Sequence, residues 1–235
     1  MHYIKRIVAA GLFAALFAAG NLLHATTYSM QQATSGWSWC SACANAGGGA
    51  TTSMTEHISS PSLTGNAARF TLGGTKPWSH ALYYKRVSSN TSATHFVYDV
   101  SFNLDKPANS SGMEFSVSQR LNYKWYRVDT QCSFLLGNWR IWDNANSRWI
   151  NTSIPCHRPA GYSWSHLVVE GVRSNGKVVF VSLTWNGHKY YINKSYYPSS
   201  LSTYGASINM HFQLNGDRYQ NDYAAWGDKF TIQAY

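Results

Sequence analysis

Thr94-His95-Phe96-Val97-Tyr98-Asp99-Val100-Ser101-Phe102 sets Phe96, Tyr98, Val100 and Phe102 at every second position. A period of two places those four side chains on one face of an extended chain. The same alternation returns twice. Met113, Phe115 and Val117 interleave with Glu114, Ser116 and Ser118, and Ile208, Met210, Phe212 and Leu214 interleave with Asn209, His211, Gln213 and Asn215. One apolar face per strand predicts antiparallel sheets packed on one side. Residues 165–172 and 177–185 are β-branched-rich runs joined by Ser174-Asn175-Gly176, and Asn186-Gly187 turns the second run into 189–193. Asn-Gly between apolar runs is a strong hairpin signal. Further strands are expected at 67–72, 81–87, 125–129, 139–143 and 230–235. After the first 25 residues, no stretch carries a 3.6-residue apolar stripe. Ten to twelve strands in about 210 residues predict an all-β, two-sheet antiparallel jelly-roll sandwich.

Composition narrows the class. The 235 residues are 44% hydrophobic and 12% charged, with 10 Trp, 16 Tyr and 10 Phe. A disordered chain would be far poorer in aromatics, and a coiled coil far richer in Ala, Glu, Lys and Leu. The net charge of +9 suits an acidic partner, but the basic residues are scattered singly. Lys5 and Arg6 precede an apolar run over 7–19 and small residues around Leu23-His24-Ala25, which reads as a secretory signal peptide over 1–25. The expected location is therefore extracellular or periplasmic. The apolar run is too short to span a bilayer, and no later segment is apolar enough, so no membrane span is expected. Residues 26–64, rich in Ser, Thr, Ala and Gly, read as an irregular segment wrapped on a sandwich of 65–235. The even set Cys40, Cys43, Cys132 and Cys156 suits an exported chain. The simplest pairing is 40–43 with 132–156, although spacing alone leaves all three connectivities open.

The order Phe96-Val97-Tyr98-Asp99-Val100, Gly112-Met113-Glu114-Phe115-Ser116-Val117-Ser118-Gln119, Trp139-Arg140-Ile141-Trp142-Asp143, Trp164-Ser165-His166-Leu167-Val168-Val169-Glu170 and Trp226-Gly227-Asp228-Lys229-Phe230-Thr231-Ile232 resembles the concanavalin A-like lectin/glucanase superfamily, in its small secreted bacterial form. The resemblance covers about residues 65–235. It implies a concave sheet whose outward side chains bind or cleave carbohydrate. The superfamily includes lectins, endoglucanases and polysaccharide lyases, and fold alone does not choose among them.

If the apolar residues face the core, the opposite face carries Glu114, Arg140, Trp142, Asn209, His211 and Gln213. Amides and a carboxylate can pair with sugar hydroxyls, and an indole can stack on a sugar ring. A secreted lectin-like protein binding a glycan, acidic in keeping with the net charge, is the expected function. Hydrolysis needs two carboxyls across the scissile bond. Glu114 lacks the second carboxylate of a Glu-x-Asp-x-x-Glu motif, so Glu170 is the partner a hydrolase would use. A lyase would use His211, Tyr190 or Tyr191 with Arg140. A non-catalytic envelope or matrix protein that binds another protein is the third class. The ten tryptophans are too many for the core to absorb without some lying partly exposed, and Trp142 is the leading exception. Asn215, Asp217 and Asp222 offer oxygen ligands of the kind calcium takes, in what is first of all a turn; no other cofactor is expected. Tyr123-Lys124-Trp125-Tyr126-Arg127 interleaves basic and aromatic residues, but an exported, disulfide-bearing chain argues against nucleic acid.

Overall fold

The structure, a computed structural model, describes residues 25–41 and 49–235. Among them run fourteen strands: β1 (Thr26–Tyr28), β2 (Trp37–Cys40), β3 (Ala50–Ile58), β4 (Ala67–Gly74), β5 (His80–Ser88), β6 (His95–Leu104), β7 (Ser110–Ser133), β8 (Asn138–Asp143), β9 (Arg148–Pro155), β10 (Ser165–Ser174), β11 (Lys177–Trp185), β12 (His188–Tyr196), β13 (Ser199–Gly216) and β14 (Tyr223–Ala234). They form two antiparallel sheets. One has the order β12-β11-β10-β6-β14-β4-β3, with β1 also on β14, and the other has the order β2-β5-β13-β7-β8-β9. This is the expected two-sheet antiparallel jelly-roll sandwich.

Period-two alternation becomes the core directly. Phe96, Tyr98, Val100 and Phe102 of β6 face Met113, Phe115 and Val117 of β7 and Ile208, Met210, Phe212 and Leu214 of β13, all at 3% exposure or less. Both hairpins fall where Asn-Gly was read. Asn175 and Gly176 have φ of 50° and 72°, and Asn186 and Gly187 have 48° and 84°, the left-handed backbone that such turns need.

Strand β7 shows why a strand count from sequence falls short. At about 3.3 Å per residue, its 24 residues would reach about 80 Å if straight. Instead, Phe134 N donates to Ser111 O, Gln131 Nε2 to Glu114 Oε1 and Ser116 Oγ to Asp129 Oδ1. The strand therefore doubles back, reversing near Asn122, whose φ is 55°. Two arms that the sequence separates lie side by side. Cys132, at the end of the second arm, is bonded to Cys156 just beyond β9, with Cα atoms 5.6 Å apart. Closing a loop of that length restricts the unfolded chain by about 3 kcal/mol. Cys40 is also disulfide-bonded; Cys43, its expected partner, and residues 1–24 of the signal peptide expected over 1–25 lie outside the described residues.

The segment 26–64, expected to be irregular, instead supplies β1, β2 and β3. The pattern there is weak because Ala50–Ile58, at a sheet edge, sets polar Thr52 and Glu56 among Ala50, Met54 and Ile58 on its less exposed face. Asp228, fully buried, ties this segment down. Its Oδ1 accepts from Gln32 Nε2, Thr64 Oγ1 and Lys229 N, and its Oδ2 from Ser62 Oγ, Leu63 N and Thr64 N, all at 2.7–3.1 Å. Burial alone would raise the Asp228 pKa; these hydrogen bonds outweigh it and hold the carboxyl below its usual value. Replacing Asp228 by Ala strands the buried Gln32 amide and several partly buried donors, a buried one costing about 1–3 kcal/mol. Urea unfolding should register a loss of about 3–4 kcal/mol, and limited proteolysis should cut first within residues 25–66. Cleavage elsewhere at the wild-type rate would remove Asp228 as the anchor.

Candidate functional site

The outer face of the six-stranded sheet collects most of the side chains singled out from the sequence. Three strands deliver them in register. His211 of β13 pairs with Ser116 of β7 and Tyr84 of β5, Gln213 pairs with Glu114 and Leu82, and Asn209 pairs with Ser118 and Arg86. The returning arm of β7 adds Arg127, Asp129 and Gln131, which alternate with core-facing Val128, Thr130 and Cys132. Strand β8 adds Arg140 and Trp142 around buried Ile141, and β9 adds Trp149 opposite Trp142.

These residues form one connected network. Glu114 Oε1 accepts from Gln131 Nε2 at 2.7 Å and from Asn215 Nδ2 at 3.0 Å. Behind those donors, Arg140 Nη2 donates to Gln131 Oε1, and Gln213 Nε2 donates to Asn215 Oδ1 at 2.8 Å. Asp129 accepts from Ser116 Oγ and pairs with Arg127 Nε at 3.3 Å. The Arg127 guanidinium lies 4.5 Å from the ring centre of Trp125 and 5.2 Å from that of Trp142. Arg120 also lies over Trp125, at 5.0 Å, and Arg140 lies over Trp149, at 5.3 Å. His211 stands near Trp125 and Tyr84, with ring centres 6.2 and 6.4 Å away.

Crowding on this face alters its acids and bases. Desolvation pushes the Glu114 carboxyl up to about 7; the hydrogen bonds from Asn215 and Gln131 pull the other way, Asp129 adds to the rise and Arg140 opposes it. Desolvation lowers His211 to about 4, and Arg127 and Arg120 lower it further against the pull of Asp129. Near neutral pH the imidazole is uncharged, and Glu114 is divided between its two forms. Among the described residues, four donors on this face are also buried without a partner: Ser118 Oγ, Trp125 Nε1, Arg140 Nε and Trp142 Nε1. Water or a ligand must satisfy such groups, or each costs about 1–3 kcal/mol.

Three expectations are corrected. Glu170 is on β10, in the other sheet, and it points outward between buried Val169 and Gly171. The core separates it from Glu114, so the two cannot flank one bond. Its carboxylate is instead engaged by Ser182 Oγ, Lys189 Nζ and His95 Nε2 at 2.7, 3.2 and 3.0 Å. Burial would raise its pKa, but these partners lower it. Tyr190 and Tyr191, on β12 of that same sheet, are likewise remote from Arg140. Secondly, Asn215, Asp217 and Asp222 do not converge. Asn215 joins Glu114, Asp217 accepts from Tyr219 N and Gln220 N, and Asp222 accepts from Gly74 N. Among the described residues, no three His, Cys, Asp or Glu are grouped to hold a metal. Thirdly, Trp142 does lie outside the core, half-buried under Arg127, but Trp39 and Trp78 are the more exposed tryptophans, at 44% and 51%. Asn209 shares the face but stands apart from the Glu114 network, bonded to Ser207 Oγ at 2.9 Å.

Sequence reasoning missed Trp125, Arg127, Asp129, Gln131 and Trp149. The alternation of 127–132 was present to be read; the signal lacking was that β7 turns back and lays this arm beside Glu114.

The altered titrations give a signed expectation. Glu114, raised from 4.5 to about 7, binds more protons folded than unfolded, so its contribution falls as pH rises between those values. His211, lowered from 6.5 to about 4, does the reverse, and its contribution rises with pH over about 4 to 6.5. The two slopes oppose each other in the wild type. Glu114→Gln should therefore make stability climb more steeply from pH 4.5 to 6.5 and exceed the wild type above pH 7. Thermal melts across that range read this directly, and parallel curves for the two proteins would refute the shift.

No family model matches the chain, and no curated protein does. Solved structures do share its fold. An endo-β-1,4-glucuronan lyase from the fungus Trichoderma reesei superposes with a TM-score of 0.52 at 9% identity, covering 84% of this chain and 94% of the lyase. The cellulose-induced protein Cip1 superposes with a TM-score of 0.53 at 9% identity, covering 84% and 90%. At such identities the likeness shows the jelly-roll fold alone.

Proposed function

We propose that this protein is exported and binds carbohydrate on the outer face of its six-stranded sheet. The observation that carries this reading is the group of buried, unpartnered donors, Ser118 Oγ, Trp125 Nε1, Arg140 Nε and Trp142 Nε1, around the amides of Gln131, Gln213 and Asn215. A polyhydroxylated ligand offers acceptors to such donors without adding a buried charge. The fold shared with a polysaccharide-cleaving enzyme supports the same reading. So does the Cys132–Cys156 disulfide, which suits an oxidising compartment. Among the described residues, no helix is long and apolar enough to cross a membrane.

One observation favours a second reading, cleavage. Glu114, with a pKa near 7, lies beside Asp129 on one face, so a carboxyl that can hold a proton adjoins a second carboxyl. General acid catalysis needs such a group near its working pH. If the face is catalytic, Glu114 with Asp129 replaces the Glu114 and Glu170 pair.

Incubation with neutral and acidic polysaccharides separates the two readings, with free protein and new reducing or unsaturated ends measured in the same tubes. Binding depletes the protein and leaves the ends unchanged, whereas cleavage raises them and Glu114→Gln abolishes the rise. Gln131→Ala breaks the link between Arg140 and Glu114 and should weaken retention at least ten-fold, with a midpoint shift of only a few degrees. No depletion and no new ends across the panel would defeat both readings and leave a protein partner as the better account.

A further inference from the structure

We infer that the ligand of this face is a linear polyanionic glycan, a uronate-bearing polysaccharide, laid along β7 with its carboxylates on arginine guanidinium groups. This rests on the carbohydrate reading above and goes further by naming the sugar class.

The charge distribution carries the inference. Of the ten acidic residues in the sequence, only Glu114 and Asp129 are on the outer face of the six-stranded sheet. The same face holds Arg86, Arg120, Arg127 and Arg140, and no lysine by strand alternation. Among the described residues, only Arg127 of these four has an ion pair, with Asp129. Arg120 lies over the Trp125 ring, Arg86 Nη2 donates to the Ala206 carbonyl, and Arg140 donates to the Gln131 amide with its Nε buried and unpartnered. Glu114, the carboxyl nearest Arg140 in the network, is only partly charged near pH 7 because of desolvation, so Arg140 lacks full compensation.

Geometry selects a polymer over a small anion. Arg140 adjoins Gln131, and Arg120 adjoins Trp125, six residues further along the same arm of β7. At the usual strand rise, the strand positions that carry these two arginines are about 20 Å apart along the face. A single monosaccharide cannot reach both; a chain with a carboxylate on every sugar can. Between them, Trp125, Trp142 and Trp149 supply ring edges, and the amides of Gln131, Gln213 and Asn215 supply groups for hydroxyls. Guanidinium groups suit this role because their planar fork matches a carboxylate with two parallel hydrogen bonds. Single-stranded nucleic acid would also find cations and aromatic rings here. It is disfavoured because the Trp125 and Trp142 rings are already covered by guanidinium groups, leaving few open faces on which bases could stack.

The test uses the folded full-length chain at pH 7 with four probes: polyglucuronate, a glucuronate disaccharide, cellohexaose and a single-stranded oligonucleotide, titrated by calorimetry at about 0.05 and about 0.5 M salt. Polyglucuronate should bind at least ten-fold more tightly than cellohexaose or the disaccharide, and that advantage should shrink at high salt. Arg120→Ser, at an exposed position that leaves the core untouched, should cut polyglucuronate affinity several-fold without moving the thermal midpoint. Arg140→Gln should do the same more strongly. Equal, salt-insensitive binding of cellohexaose and polyglucuronate would overturn the inference while leaving the carbohydrate reading intact. So would disaccharide binding as tight as the polymer's, since it would remove the second guanidinium contact. Oligonucleotide binding with no glycan bound would overturn both.

Discussion

Phe70 of β4, Phe230 of β14 and Phe212 of β13 meet between the sheets, with ring centres 4.8–6.0 Å apart. The contact fastens the eight-stranded sheet to the six-stranded one, and the rest of the molecule is arranged around it. Aromatic rings bury large apolar areas and gain further from edge-to-face geometry. Phe115, Phe102, Trp139 and Trp185 extend the same layer, each within 6.0 Å of a neighbour. Tyr83 enters it with a polar tip, which is satisfied by donating to Ser53 O and Thr71 O. Burial raises the pKa of that phenol far above the usual value, so it stays a neutral donor.

Once that layer is fixed, the outer face follows from the pleat. Every residue adjacent to a core position on β5, β7, β8 and β13 must point away from the core, whatever it is. On the eight-stranded sheet, several outward polar groups find local partners, His95, Ser182 and Lys189 around Glu170 and Asp99 with His166, while the Asn103 amide does not. On the six-stranded sheet they do not all succeed. The doubled β7 packs Glu114, Asp129, Gln131, Arg127 and Arg140 so closely that water is displaced, a carboxyl is pushed towards neutrality and four donors among the described residues are left unpartnered. The same crowding that stores this cost shapes a surface able to recover it from a ligand.

Much of the architecture was legible because strand alternation is a local property. Phe96 to Phe102 and Ile208 to Leu214 announce their inward faces without reference to anything distant. Glu114, His211, Gln213, Arg140 and Trp142 were found as outward residues by the same rule. Other assignments needed information that no window of sequence holds. Strand β3 has weak hydrophobic contrast because an edge strand needs little. Asn215, Asp217 and Asp222 look like one ligand set because they are close in sequence, but a turn that consumes Asp217 on its own backbone sends each elsewhere.

The sequence by itself determined that this chain builds strands with one apolar face each, and which side chains each strand would turn outward. Only the tertiary structure decided which strands are neighbours. It placed Glu170 on the far sheet from Glu114, and it brought Asp129 and Gln131 beside Glu114 through the reversal of β7. The physical reason is that the pleat is fixed by backbone geometry over two residues. Strand partnership is instead fixed by turns and by apolar burial summed across the whole chain.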